Sequence, residues 1–156
     1  MKLALIGGGG VRAPLFVQSA LRRAERIGLT EICLRDTASE QLQRIGALCR
    51  ELGRRAGGGV RITATQSAEE AFEGADFVVT TVRPGGVAGR IADERIALNE
   101  KVLGQETTGA GGFAMALRSI PTILDYARQL QRISPKAWLF NFTNPAGLVT
   151  QALSDA

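Results

Sequence analysis

Three observations predict that this chain adopts an α/β fold with a doubly wound parallel sheet of about five strands and helices on both faces. Short aliphatic runs alternate along the chain with longer helical patterns, which is typical of parallel strands joined by helices. Four consecutive glycines follow the first run, and an aspartate ends the second. These last two features are typical of the Rossmann-like version of the fold.

The strands are predicted from short runs rich in β-branched and aliphatic residues and bounded by turn residues. The predicted strands are Lys2–Ile6, Glu31–Leu34, Val60–Thr65, Asp76–Val82 and Ala137–Phe142.

The helices are predicted from apolar periodicity and from capping signals. Thr37 with Glu40, and Ser67 with Glu70, have the spacing of a capping box, which marks a helix N-terminus. Pro14 suits a first helical turn. The predicted helices run from near Ala13 to Gly28, from Thr37 toward Leu52, briefly after Ser67, from about Phe113 to Ile133, and from Pro145 to the C-terminus.

Size and composition favour one globular domain spanning residues 1–156. The chain is 45% apolar and 22% charged, which suffices for a substantial core. No apolar run reaches the roughly 18 residues of a spanning helix. The N-terminus lacks the pattern of a signal peptide. We therefore expect a soluble, cytoplasmic protein without a membrane partner.

Charge and residue types exclude several classes of function. The net charge is +4, but the arginines of the predicted helices are interleaved with glutamates, so solvated helix faces are favoured over nucleic-acid binding. The chain contains no histidine, which excludes a histidine base or metal ligand within these residues. Cys33 and Cys49 lack metal-site spacing, and we expect them to be reduced core residues.

The glycine-rich turn after the first strand is the candidate site for a dinucleotide. Backbone N–H groups and a helix N-terminus at such a turn hold a pyrophosphate. Gly7 and Gly9 match the first two glycines of the dinucleotide fingerprint, whereas Arg12 stands where the third belongs. The turn alone does not identify a dinucleotide site, because glycine is common in any tight connection between a strand and a helix.

Asp36 strengthens the cofactor hypothesis. A carboxylate at the end of the second strand accepts hydrogen bonds from both ribose hydroxyls and repels a 2′-phosphate, which favours NAD over NADP. The alternative is that Asp36 only places a negative charge at the N-terminus of the next helix.

The segment after the fourth strand is the candidate substrate site. Nearly thirty residues rich in glycine and charge follow it, and long connections in compact domains are usually functional or disordered. We expect its charged side chains to converge with an asparagine on one crevice at the carboxyl edge of the sheet. Arginine there suits an anionic substrate. These candidates are Arg83, Arg90, Arg95, Glu106 and Asn144.

Purely structural roles for these residues also stay open. Arg90 and Arg95 can pair with nearby carboxylates, among them Glu94, on a short surface helix. Glu106 can orient the substrate or a metal-bound water, or it can serve only to fix the conformation of its own loop.

Several segments of the chain carry a family resemblance. They are IGGGGVRAP (Ile6–Pro14), TTVRPGG (Thr80–Gly86), RIADERI (Arg90–Ile96), VLGQETTGAGGFAMALRSIP (Val102–Pro121) and NFTNPAGLV (Asn141–Val149). With these motifs the whole chain resembles the NAD- and divalent-metal-dependent glycoside hydrolases of family 4, and within them the 6-phospho-β-glucosidases. The GQETTG and NPAG motifs are specific in combination.

The resemblance implies an unusual hydrolysis of phosphorylated glycosides, outside the common two-carboxylate mechanism. NAD would oxidise the sugar C3 hydroxyl and so acidify the C2 proton. A base would remove that proton, and the aglycone would leave by elimination. Addition of water and re-reduction at C3 would complete the cycle and return NAD unchanged.

The resemblance also implies roles for particular residues. Arg90, Glu106 and Asn144 match positions in the substrate site. Many family members carry serine at the position of Gly10, so one hydroxyl contact to the cofactor phosphate is expected to be missing here. The cofactor-binding positions, to which we add two residues after the fourth strand, are Gly7, Gly8, Gly9, Gly10, Val11, Arg12, Asp36, Thr81 and Arg83.

The family's catalytic tyrosine and its manganese ligands, a cysteine and a histidine, lie beyond the NPAG helix. Residues 1–156 are therefore expected to be the N-terminal NAD-binding domain, with no catalytic or metal-binding residue of their own, and a catalytic domain is expected further along a longer enzyme. Tyr126 is interpreted as a packing residue. We expect the chain to bind NAD without turnover, and the parent to be a homo-oligomer that uses NAD and a divalent metal, manganese in the family.

Two alternatives remain. Lactate and malate dehydrogenases share the glycine turn, the acidic end of the second strand and an Asn-Pro after the fifth, and would give net hydride transfer to a 2-keto acid. The GQETTG motif argues against them. A non-catalytic NAD-binding module is the other alternative.

Overall fold

The computed structural model describes all of residues 1–156 and contains five strands and seven helices. The strands are β1 Lys2–Ile6, β2 Glu31–Arg35, β3 Arg61–Thr65, β4 Phe77–Thr80 and β5 Trp138–Asn141. The helices are α1 Ala13–Leu21, α2 Ala24–Ile27, α3 Ser39–Arg55, α4 Ala68–Phe72, α5 Gly86–Asn99, α6 Gly109–Ile133 and α7 Ala146–Asp155.

The five strands form one sheet in the order β3-β2-β1-β4-β5. β1 pairs in parallel with both β2 and β4, and β2 pairs in parallel with β3. Successive connections run outward from β1 to β3 and then return across the sheet to β4. Because such crossovers are right-handed, this order places helices on both faces. The expected Rossmann-like α/β fold is therefore confirmed.

Both faces of the central strands are buried, as expected for a parallel sheet. On one face, Leu5 of β1 and Leu34 of β2 are neighbours in register and belong to a core cluster with Val17 of α1 and Cys49 of α3. Alternate residues face the other side, where Phe72 of α4 is also fully buried. The sheet is therefore held between two apolar layers.

The chain divides into two compact units. The first comprises Met1–Thr81 and Gln129–Phe140 and contains β1 to β4 and nearly all of β5. The second comprises Val82–Arg128 and Asn141–Ala156 and contains α5, most of α6 and α7.

Several sequence expectations are confirmed in detail. The single helix expected from Ala13 to Gly28 is divided at Arg22 and Arg23 into α1 and α2, but it ends as expected at Gly28, which has a φ of 65°. The Ser67 hydroxyl accepts a hydrogen bond from the Glu70 N–H at 3.2 Å and caps α4 as expected. Both cysteines are buried and free, and Tyr126 is buried. No helix combines the length and hydropathy that crossing a membrane requires.

Two expectations about helices were wrong. Thr37 does not cap α3, which begins only at Ser39 and has no side-chain cap; just before the helix, Asp36 Oδ1 accepts the Ala38 N–H at 3.1 Å. The segment expected to be a long loop after the fourth strand contains helix α5. This helix buries the charged Asp93 and exposes the apolar Val87 and Ile91. Because this reverses the usual pattern of burial, apolar periodicity in the sequence could not reveal the helix.

Candidate functional site

The glycine turn lies directly against the ends of β2 and β4. A Cβ added to Gly8 would lie 2.8 Å from Leu34 Cβ, and one added to Gly7 would lie 2.8 Å from the Thr81 carbonyl oxygen. Gly7 also has a φ of +96°, which L-residues rarely adopt. Glycine is therefore required at both positions to bring the turn this close to the sheet.

Only part of the turn's backbone is used by the protein itself. The N–H groups of Gly7 and Gly8 donate to the Arg35 carbonyl at 2.8 and 2.9 Å, and the Gly10 N–H donates to the Gly7 carbonyl at 3.0 Å. The next two residues, Val11 and Arg12, are exposed and lead into α1. Their N–H groups donate to no acceptor in the chain. This helix N-terminus thus offers free donors, as an anionic ligand requires.

Asp36 is fixed beside the turn by two hydrogen bonds. Its Oδ2 accepts the Gly9 N–H at 2.9 Å, and its Oδ1 accepts the Ala38 N–H at 3.1 Å. The carboxylate therefore has a structural role at the start of α3. Each carboxylate oxygen has further acceptor capacity, so the same side chain also remains able to accept hydroxyl donors.

Thr81 is the remaining candidate in the first unit. Its N–H donates to the Ile6 carbonyl at 2.8 Å and its hydroxyl to the same oxygen at 3.2 Å. These bonds tie the end of β4 to the residue that precedes the glycine turn. Thr81 thereby holds the backbone against which Gly7 packs.

In the second unit, two candidate arginines converge on one carboxylate. Arg83 Nη1 lies 2.5 Å from Glu106 Oε1, and Arg90 Nη1 lies 3.3 Å from Glu106 Oε2. Oε1 is buried and lacks hydrogen-bond geometry to any group, so its contact with Arg83 is an ion pair alone. We call Arg83, Arg90 and Glu106 the arginine–glutamate cluster. It presents two guanidinium groups with one carboxylate between them, an arrangement suited to an anion.

Arg90 also makes the surface pair foreseen as its alternative role. Its Nε donates to Glu94 Oε1 at 2.7 Å, one turn further along α5. The hydrogen bond to Glu94, together with the charge of Glu106, raises the pKa of Arg90 above its usual value. Arg90 therefore stays charged while bridging a helix neighbour and the cluster.

The remaining candidates lie apart from these contacts. Arg95 is exposed on α5 and makes no ion pair. Asn144 is exposed in the turn before α7, where its bond to Pro145 is cis. That turn is built by Asn141, whose Oδ1 accepts the Thr143 N–H at 3.0 Å and whose Nδ2 donates to the Thr143 carbonyl at 3.2 Å.

Close packing explains the glycines around the GQETTG segment. Added Cβ atoms would lie 2.5 Å from the Glu94 carbonyl oxygen at Gly104 and 2.4 Å from the Thr107 carbonyl carbon at Gly112. The segment is thereby pressed against α5 on one side and enters α6 on the other. This packing places Glu106 within reach of Arg90.

Sequence reasoning missed one charged pair of the second unit. The side chain of Asp93 on α5 is only 4% exposed, and its two oxygens accept hydrogen bonds from the two terminal nitrogens of Arg118 on α6. The Arg118 Nε also donates to the Pro84 carbonyl at 3.4 Å. The hydrogen bonds that Arg118 donates to Asp93 raise the pKa of Arg118. Both residues lie in quoted family segments, but their pairing across 25 residues is not evident from either segment.

The residues present fit a dinucleotide but not a metal ion. The glycine turn is a cradle that Cβ atoms would fill, with free N–H groups at a helix N-terminus and a carboxylate beside it. No group of three or more histidine, cysteine, aspartate or glutamate side chains is placed to hold a metal.

Comparison with known proteins gives the family. Residues 2–156 match the model of the family 4 glycosyl hydrolases. The chain is 41% identical over 155 residues to a probable 6-phospho-beta-glucosidase of Bacillus subtilis and 38% identical over 148 residues to 6-phospho-alpha-glucosidase 1 of Lacticaseibacillus paracasei. These matches cover 98% and 95% of this chain but only 35% and 34% of those enzymes. The chain thus spans about a third of the length of the curated relatives it matches.

Solved structures agree with this assignment. A 6-phospho-beta-glucosidase from Thermotoga maritima, solved with manganese, NAD+ and glucose-6-phosphate, is 34% identical and superposes with a TM-score of 0.86 over 94% of this chain and 35% of that one. A lactate dehydrogenase from Eimeria maxima superposes with a TM-score of 0.67 over 99% of this chain and 39% of that one, but at 15% identity it shows the shared fold alone. The chain therefore belongs to family 4 of the glycosyl hydrolases.

Proposed function

We propose that residues 1–156 are the NAD-binding domain of a 6-phospho-β-glucosidase. The observation that carries this proposal is the glycine turn, whose free N–H groups at Val11 and Arg12 stand beside the Asp36 carboxylate. The free donors suit a pyrophosphate, and the carboxylate suits ribose hydroxyls. The Thermotoga relative with NAD+ bound supports the same assignment.

We assign the cofactor contacts in the first unit to the turn and to the two strand ends beside it. Gly7 and Gly8 permit the close approach of the backbone, Gly9 and Gly10 shape the turn, and Thr81 anchors it. Arg83 was expected among the cofactor residues, but its contacts favour the arginine–glutamate cluster instead. We therefore propose a substrate role for Arg83.

The arginine–glutamate cluster is the proposed contact for the phosphorylated sugar. Paired guanidinium groups hold a phosphate by charge-assisted hydrogen bonds. Glu106 holds Arg83 and Arg90 side by side until the anion arrives. Asn144 is exposed and has donors and an acceptor free for sugar hydroxyls.

The chemistry proposed for the whole protein is hydrolysis through reversible oxidation. When bound, NAD would accept the hydride from C3 of the sugar as the C3 hydroxyl becomes a ketone, and the ketone would acidify the neighbouring C2 proton. The residues of this chain bind and orient the cofactor and the sugar. We place the base that takes the C2 proton, and the ligands of a divalent metal such as manganese, outside residues 1–156. The chain alone is then expected to bind NAD without turnover.

The β-glycoside is proposed because the Bacillus subtilis relative has the higher identity of the two curated relatives described. We further propose a cytoplasmic location and a homo-oligomer. The second unit supports the oligomer, because it exposes large apolar side chains of the kind that interfaces cover. Leu103, Phe113 and Leu117 are each more than 60% exposed.

The decisive test uses the complete protein that carries this sequence, with NAD and manganese. Release of nitrophenol from p-nitrophenyl 6-phospho-β-glucoside, faster than from the α-anomer, is expected. Preference for the α-anomer would overturn the proposed specificity, and oxidation of added NADH by a 2-keto acid would favour the dehydrogenase alternative. Turnover by residues 1–156 alone would overturn the placement of the catalytic groups.

A further inference from the structure

Arg118 forms hydrogen bonds with two segments that carry the cluster arginines. Its terminal nitrogens bind Asp93, which lies on α5 close to Arg90, and its Nε binds the carbonyl of Pro84, the residue after Arg83. One guanidinium group thus connects the supports of both arginines.

The surroundings leave this guanidinium group little freedom. A Cβ added to Gly85 would lie 3.0 Å from Arg118 Nε, and one added to Gly89 would lie 3.1 Å from Arg118 Nη2. The side chain of Asp93 is 4% exposed. A carboxylate so buried requires a partner, and the planar fork of arginine satisfies both of its oxygens at once.

The geometry has a consequence for Arg90. Asp93 fixes the rotation of α5 about its own axis, because its side chain is bound to α6 through Arg118. Arg90 precedes Asp93 by three residues, so it lies on the same side of α5, and in this rotation it reaches Glu106. The Pro84 contact likewise restrains the backbone from which Arg83 projects.

We propose that Arg118 is a positioning residue, held by Asp93, that aligns Arg83 and Arg90 on Glu106 for binding the phosphate-bearing sugar. The sugar-binding part of this inference rests on the proposed function. The alignment itself is a property of the second unit and is testable without any ligand.

The test compares Arg118→Lys, which keeps the charge but loses the fork, with Asp93→Asn, which keeps the shape but loses the charge. Arg54→Lys is the matched control, because Arg54 pairs with Glu51 through a two-pronged contact on the exposed surface of α3. Nitrogen-15 NMR of the arginine side chains measures whether each guanidinium group is held or rotates freely.

In the wild-type chain, the signals of Arg83 and Arg90 are expected to report restricted rotation. Both variants at the buried pair should release Arg83 and broaden or shift Arg90, whereas Arg54→Lys should change neither. Unchanged Arg83 and Arg90 signals in a folded variant would overturn the inference. If Arg118→Lys does not fold, the isosteric Asp93→Asn variant decides by the same signals.

A second measurement titrates glucose 6-phosphate into the NAD-loaded chain. Affinity is expected to fall by about tenfold or more in both variants, because a misplaced binding group loses most of its contribution, while NAD affinity stays unchanged. A general loss of structure would weaken NAD binding as well. Failure of the wild-type chain to bind the sugar phosphate would count against the proposed function, while the NMR signals still decide the alignment.

Discussion

The backbone N–H of Gly9 donates a hydrogen bond to Oδ2 of Asp36 over 2.9 Å. A Cβ on Gly9 would lie 2.9 Å from the same oxygen, so a larger residue at this position would require the Asp36 side chain to move. The residue proposed to select the cofactor is therefore also the one that fixes the end of the glycine turn.

This relationship predicts the cofactor preference. Asp36→Ala is expected to weaken NAD binding by about tenfold or more, since a hydrogen bond to a charged group contributes about 1.5–3 kcal/mol. Binding of NADP should suffer less, because the repulsion of its 2′-phosphate is also removed. Calorimetric titration with both cofactors measures the two affinities. Glu40→Ala, which removes an exposed pair with Arg44 on α3, is the control and should bind NAD normally.

The close approach of the turn to β2 predicts a cost in stability. Gly8→Ala is expected to lower the free energy of unfolding by about 1–3 kcal/mol, because the new methyl group would overlap the backbone of Leu34 and Arg35. Gly59→Ala is the matched control, since nothing lies within 4 Å of its Cβ position. Urea denaturation compares the two variants. An equal free energy of unfolding for both variants would contradict this prediction, because it would show that the glycine turn can move away from β2 without loss of stability.

The two predicted capping boxes behave differently in the structure, and this difference is measurable. Ser67→Ala is expected to lower the free energy of unfolding by about 1 kcal/mol, because its hydroxyl caps α4. Thr37→Ala should change it by less than about 0.5 kcal/mol, as at most surface positions. Chemical denaturation of both variants provides the comparison. A larger loss from Thr37→Ala would contradict the observed start of α3.

Burial of Cys49 predicts a dependence of stability on alkaline pH. Burial raises its pKa from 9.0 to about 11, so the folded chain favours the neutral thiol. Its contribution is therefore complete below pH 9 and declines as the pH rises from 9 toward 11. The stability difference between wild-type and Cys49→Ala should shrink over that range in urea titrations. A constant difference from pH 7 to 10.5 would contradict the raised pKa.

The architecture could be predicted from the sequence because its signals are local. β1 was predicted with its observed bounds, and the other strands to within two residues at either end. Gly28 ends α2 in a left-handed conformation and Ser67 caps α4, as their residue types predicted. Such features depend on a few neighbouring residues, which a single sequence displays directly.

What escaped prediction depends on contacts between distant residues. Helix α5 carries glycines near its start and buries Asp93, so its own periodicity is misleading, and the reason lies 25 residues away at Arg118. The capping role expected of Thr37 is absent because α3 begins two residues later, at Ser39, with Ala38 as its N-cap. The convergence of Arg83 and Glu106 was expected from the sequence, but their ion pair across the intervening helix α5 depends on tertiary packing.

The central claim is that residues 1–156 form the NAD-binding domain of a family 4 glycosidase, and calorimetric titration of this chain with NAD tests it most directly. We predict saturable binding of one NAD per chain, loss of that binding in Gly9→Ala, and no release of nitrophenol from a 6-phospho-β-glucoside by the NAD-loaded chain. Absence of NAD binding by the folded chain, or equal binding by wild-type and Gly9→Ala, would contradict the assignment of the glycine turn.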